Sequence, residues 1–178
     1  MVAVVTACAI IGGAYAYFNR SPLVKLFGGV SNMRVVRHPT RVEAYLLGDP
    51  PGGSPPEHYV SPLDYPVTAG PIVVPSNSVG IISEALLAND TYGWEWDKAC
   101  GPPVYGVKLS FYQAKDRLDV YLCFQCDVLT TARDGQVFGS EDFDNARHVL
   151  VKALKQVFPN DKVIEELSEQ RLGIIGVR

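Results

Sequence analysis

Thiols are the most reactive side chains in this sequence, and their spacing poses the first chemical question. Cys123 and Cys126 share the stretch "VYLCFQCDV" (Val120–Val128), Cys100 lies upstream, and Cys8 stands apart near the start. Three grouped thiols could bind zinc or iron as thiolates, or cycle through a disulfide. A zinc ribbon holds each cysteine pair in a turn and needs a second pair. Here only Cys100 is available, and the three histidines show no ligand spacing relative to it. The stretch alternates apolar and polar residues as a strand does, so positions three apart point to opposite faces. That alternation puts Cys126 in a core row with Leu118, Val120, Leu122 and Phe124, and Cys123 in a polar row with Asp119, Tyr121 and Gln125. A shared ion or mutual bridge is then disfavoured. Cys100, Cys123 and Cys126 remain weak metal or redox candidates, and a bridge from Cys100 to one of the pair stays open in an oxidising compartment. Buried structural thiols are the default. On this reading Cys126→Ser destabilises more than Cys123→Ser.

Other reactive groups are less pointed. Glu141, Asp142 and Asp144 could bind a hard cation, but the glycine and twelfth-position glutamate of an EF-hand loop are missing; helix capping and a favourable helix dipole account for them. Tyr92, Trp94 and Trp96 alternate in "TYGWEWDKAC" and could form a docking ridge or close over a core edge. His148 falls opposite the apolar stripe of its segment, while His38 and His58 lie in loop-like sequence. The chain has no phosphate-cradling loop, nucleophile elbow or zinc-protease helix. No catalytic residue and no cofactor is assigned.

Those residues must be carried by a fold and delivered to a place. The chain has 178 residues, 47% of them hydrophobic, and a formal charge of -3, which suits one globular domain with an anchor and argues against a general nucleic-acid binder. Residues 1–18, "MVAVVTACAIIGGAYAYF", carry no charged side chain. As a helix they would span about 27 Å, close to a bilayer core. A cleaved signal peptide and a lipoprotein signal at Cys8 are the competing readings; the missing basic start and the apolar run past Cys8 favour an uncleaved membrane anchor. Cys8, Gly12, Gly13 and Ala16 gather on one side of such a helix, a small-residue face that another membrane helix could approach. Residues 19–41 read as a basic connector with Arg20, Lys25, Arg34, Arg37 and Arg41 ahead of the first acid, Glu43. Charge asymmetry of this kind leans the body toward the cytoplasmic side, with an extracytoplasmic home as the alternative.

Residues 42–178 read as one α+β domain. "RVEAYLLG" predicts a first strand, and residues 48–75 a Pro/Gly-rich surface loop in which "GPIVVP" adds a short strand. "SNSVGIISEALLAND" predicts a helix capped by Ser76 or Ser78, with Val79, Ile82, Ala85 and Leu86 on one face. Two alternating strands follow, "VKLSF" and the cysteine stretch, then a hairpin at Asp134–Gly135 and a strand around Val137 and Phe138. A helix over 145–158 has a stripe of Ala146, Val149, Leu150, Ala153, Leu154 and Val157, and a short helix follows over 162–171. The expected architecture is an antiparallel sheet of about four strands with two to three helices on one face.

From Tyr92 onward the chain resembles an uncharacterised family of small bacterial membrane-attached or exported proteins. The resemblance is carried by "YGWEWDKAC", "YGVKLSF", "LDVYLCFQCD" and "EDFDNARHVLVKALKQVFPND" and covers about half the chain. It implies a shared fold and a possible shared role for Cys100, Cys123 and Cys126, and it brings no mechanism. The resulting expectation is a non-catalytic, membrane-anchored accessory subunit that binds and stabilises a larger membrane complex, for example an energy-transducing one. A thiol-dependent redox or metal-binding protein and a small-ligand-binding domain are the alternatives.

Overall fold

The computed structural model describes residues 21–94 and 101–170. In chain order it forms α1 (Pro22–Leu26), α2 (Val30–Arg37), β1 (Arg41–Leu47), β2 (Val67–Val73), α3 (Ser76–Leu87), β3 (Val107–Gln113), β4 (Asp116–Cys123), β5 (Val128–Arg133), β6 (Gln136–Asp142), α4 (Arg147–Val157) and α5 (Lys162–Glu165). The six strands make one antiparallel sheet in the order β2-β1-β3-β4-β5-β6. All five helices contribute buried side chains to the same apolar cluster on one sheet face. The fold is therefore α+β with helices on one side, as expected, but among the described residues it has six strands instead of about four and five helices instead of two to three.

One unforeseen break adds a strand. The chain from Leu118 to Val128 is not one strand. It folds back through Phe124–Asp127, giving β4 and β5 with Cys123 paired to Val128. Asp127 sits in the left-handed region at φ 53°, and its carboxylate and the Phe124 carbonyl both accept hydrogen bonds from the Arg147 guanidinium of α4. A contact with a residue 20 positions away fixes this turn, so alternation within the segment could not reveal it. The strand expected at "GPIVVP" begins earlier, at Val67, and pairs with β1 through bulges. By contrast, the Asp134–Gly135 hairpin forms as expected, with both residues at positive φ.

The described part of the basic connector, residues 21–41, does more than connect. Leu23, Leu26 and Phe27 from the α1 end and Val35 and Val36 from α2 are buried in the main core. The two helices turn at Gly28 and Gly29, both at positive φ. A Cβ placed on Gly28 would lie 2.4 Å from the Phe138 ring. Gly28→Ala should cost roughly 2–4 kcal/mol, combining a left-handed alanine with a displaced aromatic ring. Urea denaturation checks this, and a loss within 0.5 kcal/mol, the range of ordinary surface changes, would contradict it.

The main core runs through the rows Val42/Ala44, Val107/Leu109/Phe111 and Leu118/Val120/Leu122, capped by Ile82 and Leu86 of α3 and Leu150 and Leu154 of α4. Helix α3 begins after Pro75 without a side-chain cap. Ser78, an expected cap, is buried and its hydroxyl donates to Gln156 Oε1 at 3.1 Å, tying α3 to α4. Helix α4 buries Leu150, Ala153, Leu154 and Val157 as its stripe required, and His148 is exposed. The last helix is shorter than expected, ending at Glu165.

Among the described residues no helix is long and apolar enough to cross a membrane. The expected anchor, with Cys8, Gly12, Gly13 and Ala16, lies outside the described residues, as do Trp96 and Cys100.

Candidate functional site

The sheet face opposite the helices is divided in two. At one end, residues of the Pro/Gly-rich loop and of the segment before β3 fold over it: Tyr65 and Tyr105 pack with Tyr121, Cys123 and Ala132. Tyr65 OH donates to the Pro103 carbonyl at 2.8 Å, and Tyr105 OH shares a hydrogen bond with Thr130 Oγ1 at 2.6 Å. The row expected to be polar is therefore covered, and Cys123 is fully buried there. Cys126 lies half-buried in the β4–β5 turn. This reverses the order of the two thiols. Cys123→Ser should lose roughly 1–3 kcal/mol, because its hydroxyl enters a packed aromatic cluster, whereas Cys126→Ser should cost much less. Thermal melts of both variants check the ranking, and a larger loss for Cys126→Ser would contradict it. Among the described residues no three His, Cys, Asp or Glu side chains converge as a metal-binding group.

At the other end the face is open and carries a different chemistry. Strand register brings Arg41, Glu43 and Tyr45 of β1 beside Tyr112, Ser110 and Lys108 of β3, and these beside Arg117, Asp119 and Tyr121 of β4. Two nearly buried carboxylates organise it. Glu43 Oε2 accepts from Tyr45 OH at 2.7 Å and from Tyr112 OH at 2.9 Å, while Oε1 lies 3.3 Å from Arg41 Nε. Asp119 accepts from Ser110 Oγ at 2.6 Å and from Arg117 in a two-point fork at 2.8 and 2.6 Å. The Arg41 guanidinium stacks over Tyr112 at 4.5 Å and the Lys108 ammonium over Tyr45 at 4.1 Å. The bond from Tyr45 leads the effects that hold Glu43 below the usual carboxylate range, and burial, followed by that same bond, pushes the Tyr45 phenol up.

Lys108 differs from the arginines. It is half-buried, and burial draws its ammonium below its ordinary value. Among the described residues no carboxylate forms an ion pair with it, and its ammonium lies over the Tyr45 ring. Beside this polar field runs edge strand β2, exposed along all seven residues. Its register places Val73 next to Glu43 and Val67 next to Leu47, on this same face, and both valines are exposed. Tyr59 and Leu63 in the preceding loop are exposed as well. The surface thus combines pre-set Tyr and Arg side chains with an aliphatic edge. Such a composition favours recognition, because side chains already fixed lose little freedom on binding.

The aromatic run, read as a docking ridge or as a closure over a core edge, takes the second role at its two described residues. Tyr92 is a core residue whose hydroxyl donates to the Leu86 carbonyl at 2.5 Å. Trp94 packs against it at 4.8 Å between ring centroids, and its indole N–H reaches the Asn89 carbonyl at 3.0 Å. They close the edge of the core below α3 and do not form an outward ridge. In the acidic run, Asp142 Oδ1 accepts from the Asp144 amide at 2.7 Å, just ahead of the helical turn that leads into α4. Sequence reading missed Tyr45, Lys108 and Tyr112 as a group. The period-two spacing of Lys108, Ser110 and Tyr112, matched by Arg117 and Asp119, was the available signal, but it looks like any solvated strand face until β1 is placed beside it.

The chain matches no protein-family model, no curated protein and no solved structure. The reading of the site rests on its own geometry, and the resemblance from Tyr92 onward gains no support from those comparisons.

Proposed function

We propose that this protein is a non-catalytic accessory subunit, attached to a membrane by its N-terminal segment, that binds and stabilises a larger membrane assembly through the open face of its sheet. The observation that carries this reading is the Arg41–Glu43–Tyr45–Lys108–Tyr112–Arg117–Asp119 field beside the exposed valines of β2. The occupant is a partner protein with an apolar strip facing Val67 and Val73 and an acidic side chain opposite Lys108. Three cations against two acids leave this field one positive charge in excess, too little for a phosphate-backbone footprint. Membrane attachment is supported by the charge-free, apolar residues 1–18 and the basic residues after them, and the positive-inside rule leans the domain cytoplasmic. Native mass analysis of membranes solubilised in mild detergent tests the reading. The protein is expected to migrate in an assembly larger than itself; migration alone at monomer mass would overturn the proposal.

Small-ligand binding is the second reading, favoured by a cleft of about 440 Å³ at the covered end of the sheet. Leu47, Val104, Tyr105, Phe124, Gln125 and Ile164 are among the residues lining it, and its size falls in the range of ordinary ligand sites. A ligand there should shift the amide resonances of Gln125 and Ile164 and leave those of Lys108 unmoved.

A further inference from the structure

We infer that the outer surface of α1 and α2 lies against a lipid bilayer bearing anionic headgroups. The inference rests on the membrane attachment proposed above and adds the surface that meets the bilayer and the lipid chemistry it selects. Helix α2 buries Asn32, Val35 and Val36. At 100° per residue, Val30, Arg34 and Arg37 fall within about 60° of one another on the opposite side. Val30 is 46% exposed, an aliphatic side chain set beside two arginines. Lys25, in the last turn of α1, is exposed as well.

Among the described residues these three cations have no side-chain partner. The other arginines described have acceptors: Arg41 pairs with Glu43, Arg117 with Asp119, Arg133 with Asp116 and Arg147 with Asp127. Lys25, Arg34 and Arg37 make no ion pair or hydrogen bond through their side chains among the described residues. Residues 19–42 contain five basic residues and no acid; of the four described, Arg41 alone pairs with a carboxylate among the described residues, Glu43. Tethering then selects the occupant. Only four peptide units separate Phe18, the end of the apolar run, from Pro22, a span of at most about 14 Å. An anchor in the bilayer holds α1, and through the Phe27–Gly29 turn α2, close to the headgroup layer, where basic side chains are attracted to anionic lipid over about a Debye length. Val30 fits the same setting, since one aliphatic between cations can enter the interface while the guanidinium groups stay among phosphates. The α1–α2 layer covers the sheet on the helix side, so the open face with Lys108 stays free for the partner.

The test places the full chain in lipid nanodiscs of phosphatidylcholine alone or with phosphatidylglycerol added. The rate at which acetic anhydride acylates Lys25 is read by mass spectrometry against Lys152, an exposed residue of α4. The Lys25-to-Lys152 ratio is expected to fall about three-fold or more in the anionic discs and to recover in high salt. The double variant Arg34→Gln/Arg37→Gln, confined to exposed positions, is expected to lose most of that protection. Equal ratios in the two discs, with the chain co-eluting with both, would overturn this inference and leave membrane attachment standing. A chain that elutes apart from both discs would overturn both. Co-elution with the anionic discs alone, with Lys25 protected, would uphold the basic surface and remove the apolar anchor.

Discussion

Arg147→Ala is expected to remove about 3–5 kcal/mol of folding stability, the usual cost of stripping one partner from a buried ion pair. Arg147 is 7% exposed and Asp127 2% exposed, and the two form a charge-assisted hydrogen bond between the start of α4 and the β4–β5 turn. The same guanidinium donates to the Phe124 carbonyl at 2.8 Å and the Ser168 carbonyl at 2.9 Å, and stands 5.6 Å from the Phe124 ring centroid. One side chain therefore satisfies two part-buried backbone acceptors and a buried carboxylate. Urea denaturation of the variant measures the loss. A change below 1 kcal/mol would show that water reaches Asp127 and that the turn is held by other means.

The same cluster fixes a pH dependence. Burial, then a hydrogen bond with Asp144, raises the Asp127 carboxyl to about 6, with Arg147 pulling the other way. The folded state thus binds a proton that the unfolded chain, with an ordinary aspartate near 4, releases. Between about pH 4 and pH 6 this group's contribution to stability falls as pH rises, and above that window it is constant. Asp127→Asn, which fixes the neutral form, is expected to flatten that slope. An unchanged slope in the variant would assign it to other carboxyls.

Lys108→Glu is expected to weaken retention of the partner by about thirty-fold or more, since it sets like charges face to face where the native cation meets an acid. Lys108→Gln should weaken it less, by loss of the charge alone. Lys108 is half-buried on the open face, outside both apolar clusters, so the neutral variant should melt close to the wild type. Titration of solubilised assemblies with salt and with each variant measures the ranking. Equal retention by all three proteins would remove the acidic contact from the partner's description.

How much of this was legible in the sequence follows from where each contact comes from. The stripe of α4, the helix α3 and the Asp134–Gly135 turn are set by residues within one element, and reading found all three. The break in "VYLCFQCDV" depends on Arg147, and the covering of Cys123 depends on Tyr65 and Tyr105, which reach it from distant loops. Alternation assigned the faces of Leu122 and Cys123 properly. What it could not show is that both faces of β4 are covered at that end, so the apparently polar row is core. The open face was hidden for a similar reason. Glu43 and Tyr112 are 69 residues apart, and their partnership exists only once β1 and β3 are neighbours. Residues 22–37 read as a connector because the two short helices owe their stability to burial of Phe27, Val35 and Val36 and little to intrinsic helix propensity.

Hydroxyl-radical footprinting of the protein inside its native assembly tests the central claim most directly. Oxidation of Tyr45 and Tyr112 on the open face, read by mass spectrometry, is compared with that of Ile81 on α3 before and after the assembly is dissociated. The expected result is that Tyr45 and Tyr112 are shielded in the assembly and become reactive on dissociation, while Ile81 reacts alike in both. Shielding of Ile81 with the two tyrosines equally reactive throughout would place the partner on the helix layer and contradict the account.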